Sequence, residues 1–229
     1  MMRKVLVGVA AMLLAGCNMV VSESPWFAAD EAARPGLKEG LWANLKGADC
    51  RFDPAQAIQD WPKCAQPMWV EGGQYRGPAP DADRNPSQLA DVAKWDKVDH
   101  LLAAGDPLID QIDLGSGAPD DGHTGGKGFL YLAGRVIRHD DQGRIIELLR
   151  WPVACGPLPT SLPKAKGMPR AADLVTDQPF PGLKIKDEAC TAADLEALRN
   201  AATLSETIAA PNRTPPITSR WIRDRLGGG

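Results

Sequence analysis

The chain is poor in the residues from which most enzyme signatures are built. Of its 229 residues only three are histidine, His100, His123 and His139, and only two are tyrosine. Basic residues number 26 against 29 acidic ones. Without a cationic excess nothing displaces counterions from phosphates, and nucleic acid is excluded as a partner. No Cys-x-x-Cys pair occurs and no histidine lies at finger spacing from a cysteine, so no zinc site or other cofactor is expected. Gly-x-Ser-x-Gly and His-Glu-x-x-His are both missing. No catalytic residue is assigned on that ground.

What the chain has in plenty is turn formers and tryptophan. Glycine (23) and proline (20) make up about a fifth of the residues, above the usual share, which favours short elements over long helices. Seven tryptophans, Trp26, Trp42, Trp61, Trp69, Trp95, Trp151 and Trp221, stand against four phenylalanines. Indoles fill cores more often than they line sugar-binding surfaces, so core packing is the default for them, with an exposed glycan- or protein-binding stripe as the alternative.

The one long apolar run is at the start. Basic Arg3 and Lys4 precede VLVGVAAMLLA, eleven residues that are too few for a permanent span, whose last two open the tetrapeptide Leu14-Ala15-Gly16-Cys17. These are the parts of an export signal. With the tetrapeptide at that distance from Met1, the segment resembles bacterial lipoprotein precursors. The resemblance implies cleavage before Cys17 and acylation of its thiol and amine. Asn18, where aspartate would signal retention at the inner membrane, implies delivery to the outer membrane, facing the periplasm, of a two-membrane cell. Several acyl chains on one residue make a lasting anchor. The membrane is thus an expected partner through lipid, with an envelope protein or glycan as a further candidate.

Four cysteines remain after Cys17, an even number that favours disulfides in an exported chain. Cys50 with Cys64 and Cys155 with Cys190 is the favoured pairing among three, because each pair brackets one irregular, proline-containing segment.

The organisation read from the sequence is a signal peptide at 1–16, a lipidated tether at 17–36 with room for a short helix after Ser24-Pro25, and a single envelope domain at 37–229. Residues 40–44 and 67–73 read as strands. VDHLLAAGDPLIDQIDL and FLYLAGRVIRHDDQGRIIELLRW read as two hairpins, turning at Gly105-Asp106-Pro107 and at Asp140 to Gly143. In the second, Arg135, Arg138, His139, Glu147 and Arg150 fall on both alternation phases, so neither face is cleanly polar. The segment from Thr191 to Ala210 is the one good helix, with Thr191 as its cap and Asp194 at the box position. The expected fold is α+β: an antiparallel meander backed by a C-terminal helix and pinned by disulfides.

Other candidate chemistry is weak. Asp113 to Gly128 offers glycines, His123 and Lys127, but a phosphate loop needs glycine at 121 and a hydroxyl at 128, where Asp121 and Gly128 stand. Asp81, Asp83 and Asn85 are spaced like a calcium loop, but Pro86 and Val92 occupy the glycine and glutamate positions. Asp120 and Asp121 beside His123, Ser116 between two glycines, and Arg213, Arg220, Arg223 and Arg225 near the end read as solvated loop and tail residues. The functional expectation is a membrane-anchored envelope lipoprotein acting as a structural or interaction module, with a periplasmic hydrolase or a small-ligand carrier as alternatives.

Overall fold

Runs of β-branched, leucine and aromatic residues bounded by glycine, proline and aspartate each form a strand, as their spacing requires. The structure is a computed structural model that describes residues 18–78, 89, 91–115, 128–159, 175–186, 189–209 and 216–225. The strands are β1 (Val21–Ser22), β2 (Gly40–Lys46), β3 (Ala65–Glu71), β4 (Gln74–Gly77), β5 (Asp96–Ala103), β6 (Leu108–Asp113), β7 (Phe129–His139), β8 (Ile145–Pro152), β9 (Leu183–Lys186), β10 (Ala189–Ala192) and β11 (Ile217–Arg223). Among the elements the described residues delimit, α-helix α1 spans Leu195–Ile208.

From β2 to β8 each strand pairs antiparallel with the next, and β11 lies between β8 and β2. The result is a closed eight-stranded barrel, which corrects the expected α+β meander with a terminal helix. An open meander would leave β2 and β8 as edges with unpaired backbone groups. One strand inserted between them removes both edges. That strand contains Ser219 to Arg223, for which local sequence specifies no state. Its fit against β2 depends on Gly40, whose φ is +124° and where a Cβ would lie 2.5 Å from the Arg223 carbonyl. Only glycine accommodates both that backbone and that approach.

Two layers wrap the outside. Over β7 and β8, α1 lays down a face of small residues, Ala197, Ala201, Ala202 and Ser205, around Leu198. Trp151 Nε1 donates to the Ala202 carbonyl at 2.9 Å, and Ser205 Oγ accepts from Ala154 N at 2.8 Å. The cap of α1 is Asp194, whose carboxylate accepts from Ala197 N at 2.8 Å; Thr191, the expected cap, pairs within β10 instead. Over β2 and β3, the connection between them packs Ile58 and Trp61 onto Leu41, Ala43 and Leu45. A disulfide fixes each layer: Cys50–Cys64 closes the β2–β3 connection, and Cys155–Cys190 ties β10 to the chain after β8.

The stretch expected as a tether is packed from Asn18 onward. Val20 is fully buried, its N–H donates to Val153 at 2.8 Å, and β1 pairs with Leu130 and Phe129 of β7. The short helix expected after Pro25 is reduced to a 3-10 turn at Ala29–Glu31. Gln111 Oε1 on β6 accepts from Trp26 N and Phe27 N at 2.7 and 3.0 Å, which holds this segment extended. Among the described residues no helix is long and apolar enough to cross a membrane.

Candidate functional site

In a closed barrel alternate residues point inward, so strands that are not neighbours can touch only through the lumen. Such contacts identify the inner face. Arg150 on β8 reaches Asp110 on β6 past β7, and Tyr75 on β4 reaches Asp110 past β5. Trp42, Met68, Leu102, Leu108 and Leu148 form one cluster contributed by five strands. The opposite alternation phase of β6, β7 and β8, with Ile109, Tyr131, Ala133 and Trp151, packs outward beneath α1.

At mid-height the lumen contains a buried polar cluster. The Asp110 carboxylate accepts from the Tyr75 hydroxyl at 2.7 Å and from Arg150 Nη2 at 3.0 Å on one oxygen, and meets His100 Nδ1 at 2.9 Å on the other. Tyr75 and His100 stack with ring centroids 3.5 Å apart, and the Arg150 guanidinium lies 5.0 Å from the Tyr75 ring centre. Side-chain exposure is 6% for His100, 4% for Asp110 and 8% for Arg150. Among the described residues Arg150 Nη1 meets the Met68 thioether sulfur, at 4.0 Å, a weak acceptor. Gly134 pairs in register with Arg150. A Cβ there would come within 3.2 Å of Leu148 Cδ1 and 3.7 Å of Arg150 Cγ, so the glycine makes room for the arginine stem.

Burial pushes the Asp110 carboxyl up, but the charge and hydrogen bond of His100, then Arg150 and the Tyr75 hydroxyl, overcome it and hold the group below its ordinary value. Burial and the Asp110 charge push the Tyr75 phenol well up, against the lowering effect of Arg150. Tyr75 therefore stays protonated at neutral pH and donates to the carboxylate. His100, bound to Asp110 through Nδ1, has Nε2 as its other polar atom.

The two ends of the barrel differ. At one end the turns are short: 72–73, 104–107 and 140–144 link successive strands, and Ala33 and Leu37 pack over the inner cluster. The other end receives the long connections, and there the inward positions carry Val98, Ile112, Leu130, Leu132, Pro152 and Ile217. All six are half-buried. Among the described residues they join none of the three apolar clusters. On β5 to β8 and β11 the lumen thus has an apolar upper wall above the polar floor, whereas β2 and β3 place Asn44, Lys46 and Gln66 on the same inward phase.

Few residues singled out from sequence lie here. His100 is at the floor, whereas His139 is exposed at the far end of β7. His123, Ser116, Asp120, Asp121, Lys127, the Asp81–Asn85 triad, Arg213 and the Leu14–Cys17 tetrapeptide lie outside the described residues. Arg220 and Arg223, expected in a solvated tail, belong to β11: Arg220 binds Glu147 at 2.8 Å and Arg223 donates to the Pro54 carbonyl at 3.2 Å. None of the seven tryptophans is exposed, and Trp42, Trp61, Trp95 and Trp151 are buried. Among the described residues no group of three metal-ligating side chains converges. A surface groove of about 270 Å³ on the outside of the barrel, lined by Leu45, Arg51, Phe52 and Ile222, has no comparable buried polar cluster.

Tyr75, Asp110 and Arg150 escaped sequence reasoning because they come from three separate strands with no fixed spacing. One local signal pointed their way: in β8 charged Glu147 and Arg150 interrupt a run that is otherwise apolar on both phases. Comparison of the chain with protein-family models, with curated proteins and with solved structures finds no match.

Proposed function

We propose that the mature chain is a lipid-anchored protein of the bacterial cell envelope, held at the outer membrane through Cys17, that carries one small molecule in the lumen of its barrel. The carrying observation is the lumen itself: half-buried apolar side chains of β5 to β8 and β11 above a buried His100–Asp110–Arg150–Tyr75 floor. A buried ion pair is seldom the most stable filling for a core, and an eight-stranded barrel is wide enough for one small ligand. The basic start, apolar run and Leu14–Cys17 tetrapeptide support the anchor, and two disulfides suit an oxidising compartment.

Native mass spectrometry of the protein extracted from its own membrane tests both parts. A chain beginning at Cys17 with acyl mass, and a discrete one-to-one adduct that Leu132→Trp removes, are the expected results. A chain beginning at Met1, or bare protein in every preparation, overturns the reading.

The 2.9 Å His100–Asp110 contact favours a second reading, in which the oriented imidazole acts as a general base through Nε2 on the bound molecule. Chemical change of the adduct by the wild type but not by His100→Gln would establish it.

A further inference from the structure

Resting on the carrier reading above, we infer that the molecule held in the lumen is a single-chain amphiphile with a monoanionic carboxylate head, drawn from the membrane on which the barrel sits.

The floor selects the head. Asp110 already accepts from Tyr75, His100 and Arg150, which fills three of its about four acceptor positions. What the floor still offers is Arg150 Nη1, which among the described residues meets the Met68 sulfur at 4.0 Å, joined by Nε2 of His100 as a donor when the ring carries both protons. A set of donors held in a low-dielectric site matches an acceptor head. A monoanionic head that arrives with one proton, taken up on the imidazole, leaves one guanidinium and one imidazolium against two carboxylates. That balance suits a monoanion, whereas a dianionic phosphate would bring a buried charge with no counterpart.

The wall selects the body. Val98, Ile112, Leu130, Leu132 and Ile217 offer an apolar surface on β5, β6, β7 and β11, while the polar inward residues Asn44, Lys46 and Gln66 lie on β2 and β3. Along β5 the floor residue His100 and the rim residue Asp96 are four positions apart, ~13 Å of strand and ~10 Å along a tilted barrel's axis, the length of roughly eight extended methylenes.

The N-terminus selects the source. β8 ends where the barrel receives its long connections, and two residues beyond Val153 the N–H of Cys155 bonds the Asn18 carbonyl at 2.8 Å. β1 pairs with Phe129 and Leu130, the first residues of β7, at the same end. Asn18 itself is buried, and its Nδ2 donates to the Gly156 carbonyl at 2.9 Å. Cys17 is one peptide further, ~3.8 Å between Cα atoms. No slack separates the acylated residue from the barrel, so its lipid holds the mouth, and not the hairpin end, against the headgroups.

The test uses the acylated chain in phosphatidylcholine vesicles, titrated calorimetrically with hexanoate, octanoate, decanoate and decanol against protein-free vesicles. Expected are one-to-one binding of decanoate, a gain of about fourfold per methylene along the acid series, and at least tenfold weaker binding of decanol. Arg150→Met should erase the preference for decanoate, and Ile112→Trp should remove both ligands. Decanol binding as tightly as decanoate overturns the head assignment in the wild type, so failure of Arg150→Met to fold leaves the test intact. Absence of saturable binding by all four compounds instead sinks the carrier reading. For the source, a fluorophore at Asp96→Cys should be quenched by headgroup nitroxide lipid and one at Gln142→Cys should not. The reverse pattern refutes the membrane-facing mouth.

Discussion

Replacing Asp110 by asparagine removes the one negative charge from the lumen floor at almost constant volume. The carboxylate receives three hydrogen bonds from groups that are themselves buried: Tyr75, His100 and Arg150. Breaking a buried charged pair by deleting one partner leaves the other uncompensated and costs about 3–5 kcal/mol. At 2–4 °C per kcal/mol for a domain of this size, Tm should fall by roughly 6–20 °C. The pH dependence has a defined sign. Asp110 has a lower folded than unfolded value, so near pH 4 the unfolded chain binds more protons. The stabilisation is complete above the ordinary carboxylate range and is lost as pH falls through the folded value. Denaturant unfolding of wild type and Asp110→Asn from pH 7 to pH 2 measures both effects, and the difference between the two proteins should shrink below about pH 4. The companion double variant Asp110→Leu with Arg150→Met removes both charges together and should regain most of the stability while losing the ligand. A loss under about 1 kcal/mol for Asp110→Asn, or a difference from wild type that is constant down to pH 2, would refute a buried, charge-paired floor.

The remaining predictions concern the scaffold. Gly134→Ala places a methyl 3.2 Å from Leu148 Cδ1 and should cost about 1–3 kcal/mol by overpacking, with a drop in ligand affinity as the Arg150 stem shifts; unfolding and titration of the same sample measure both. Ser205→Ala deprives the Ala154 N–H of its acceptor beneath α1, and about 1–3 kcal/mol should be lost without change in ligand binding. Removal of the disulfides at sequence separations of 14 and 35, by paired Cys→Ala changes, should cost about 3 and about 4 kcal/mol on the chain-entropy model, read as unfolding midpoints against the oxidised wild type.

Local sequence specified the hairpins well because their information is local: Gly105-Asp106-Pro107 and the Asp140–Gly143 turn sit between apolar runs, and β5–β6 and β7–β8 pair across them. It also showed, through Arg135, Arg138, Glu147 and Arg150 on both phases, that neither face of the second hairpin is simply wet. The structure supplies the reason. Glu147 lies outside between Arg138 and Arg220, while Arg150 lies inside on Asp110. Asp194, the cap of α1, was visible as a box residue, but whether it or Thr191 capped the helix depended on β10 claiming Thr191 for its pairing with Lys184.

Composition, patterning and turn residues alone determined that the chain is rich in short antiparallel strands with one late helix, and that its four internal cysteines suit two crosslinks. Whether those strands stay open or close was decided by a contact spanning the chain, Ser219 to Asn44 at 2.6 Å, within the pairing of β11 to both β2 and β8. Closure in turn created an inside. A residue's alternation phase says only that two faces differ; which face becomes a lumen, and hence that Tyr75, His100, Asp110 and Arg150 meet, follows from the global curvature of the sheet.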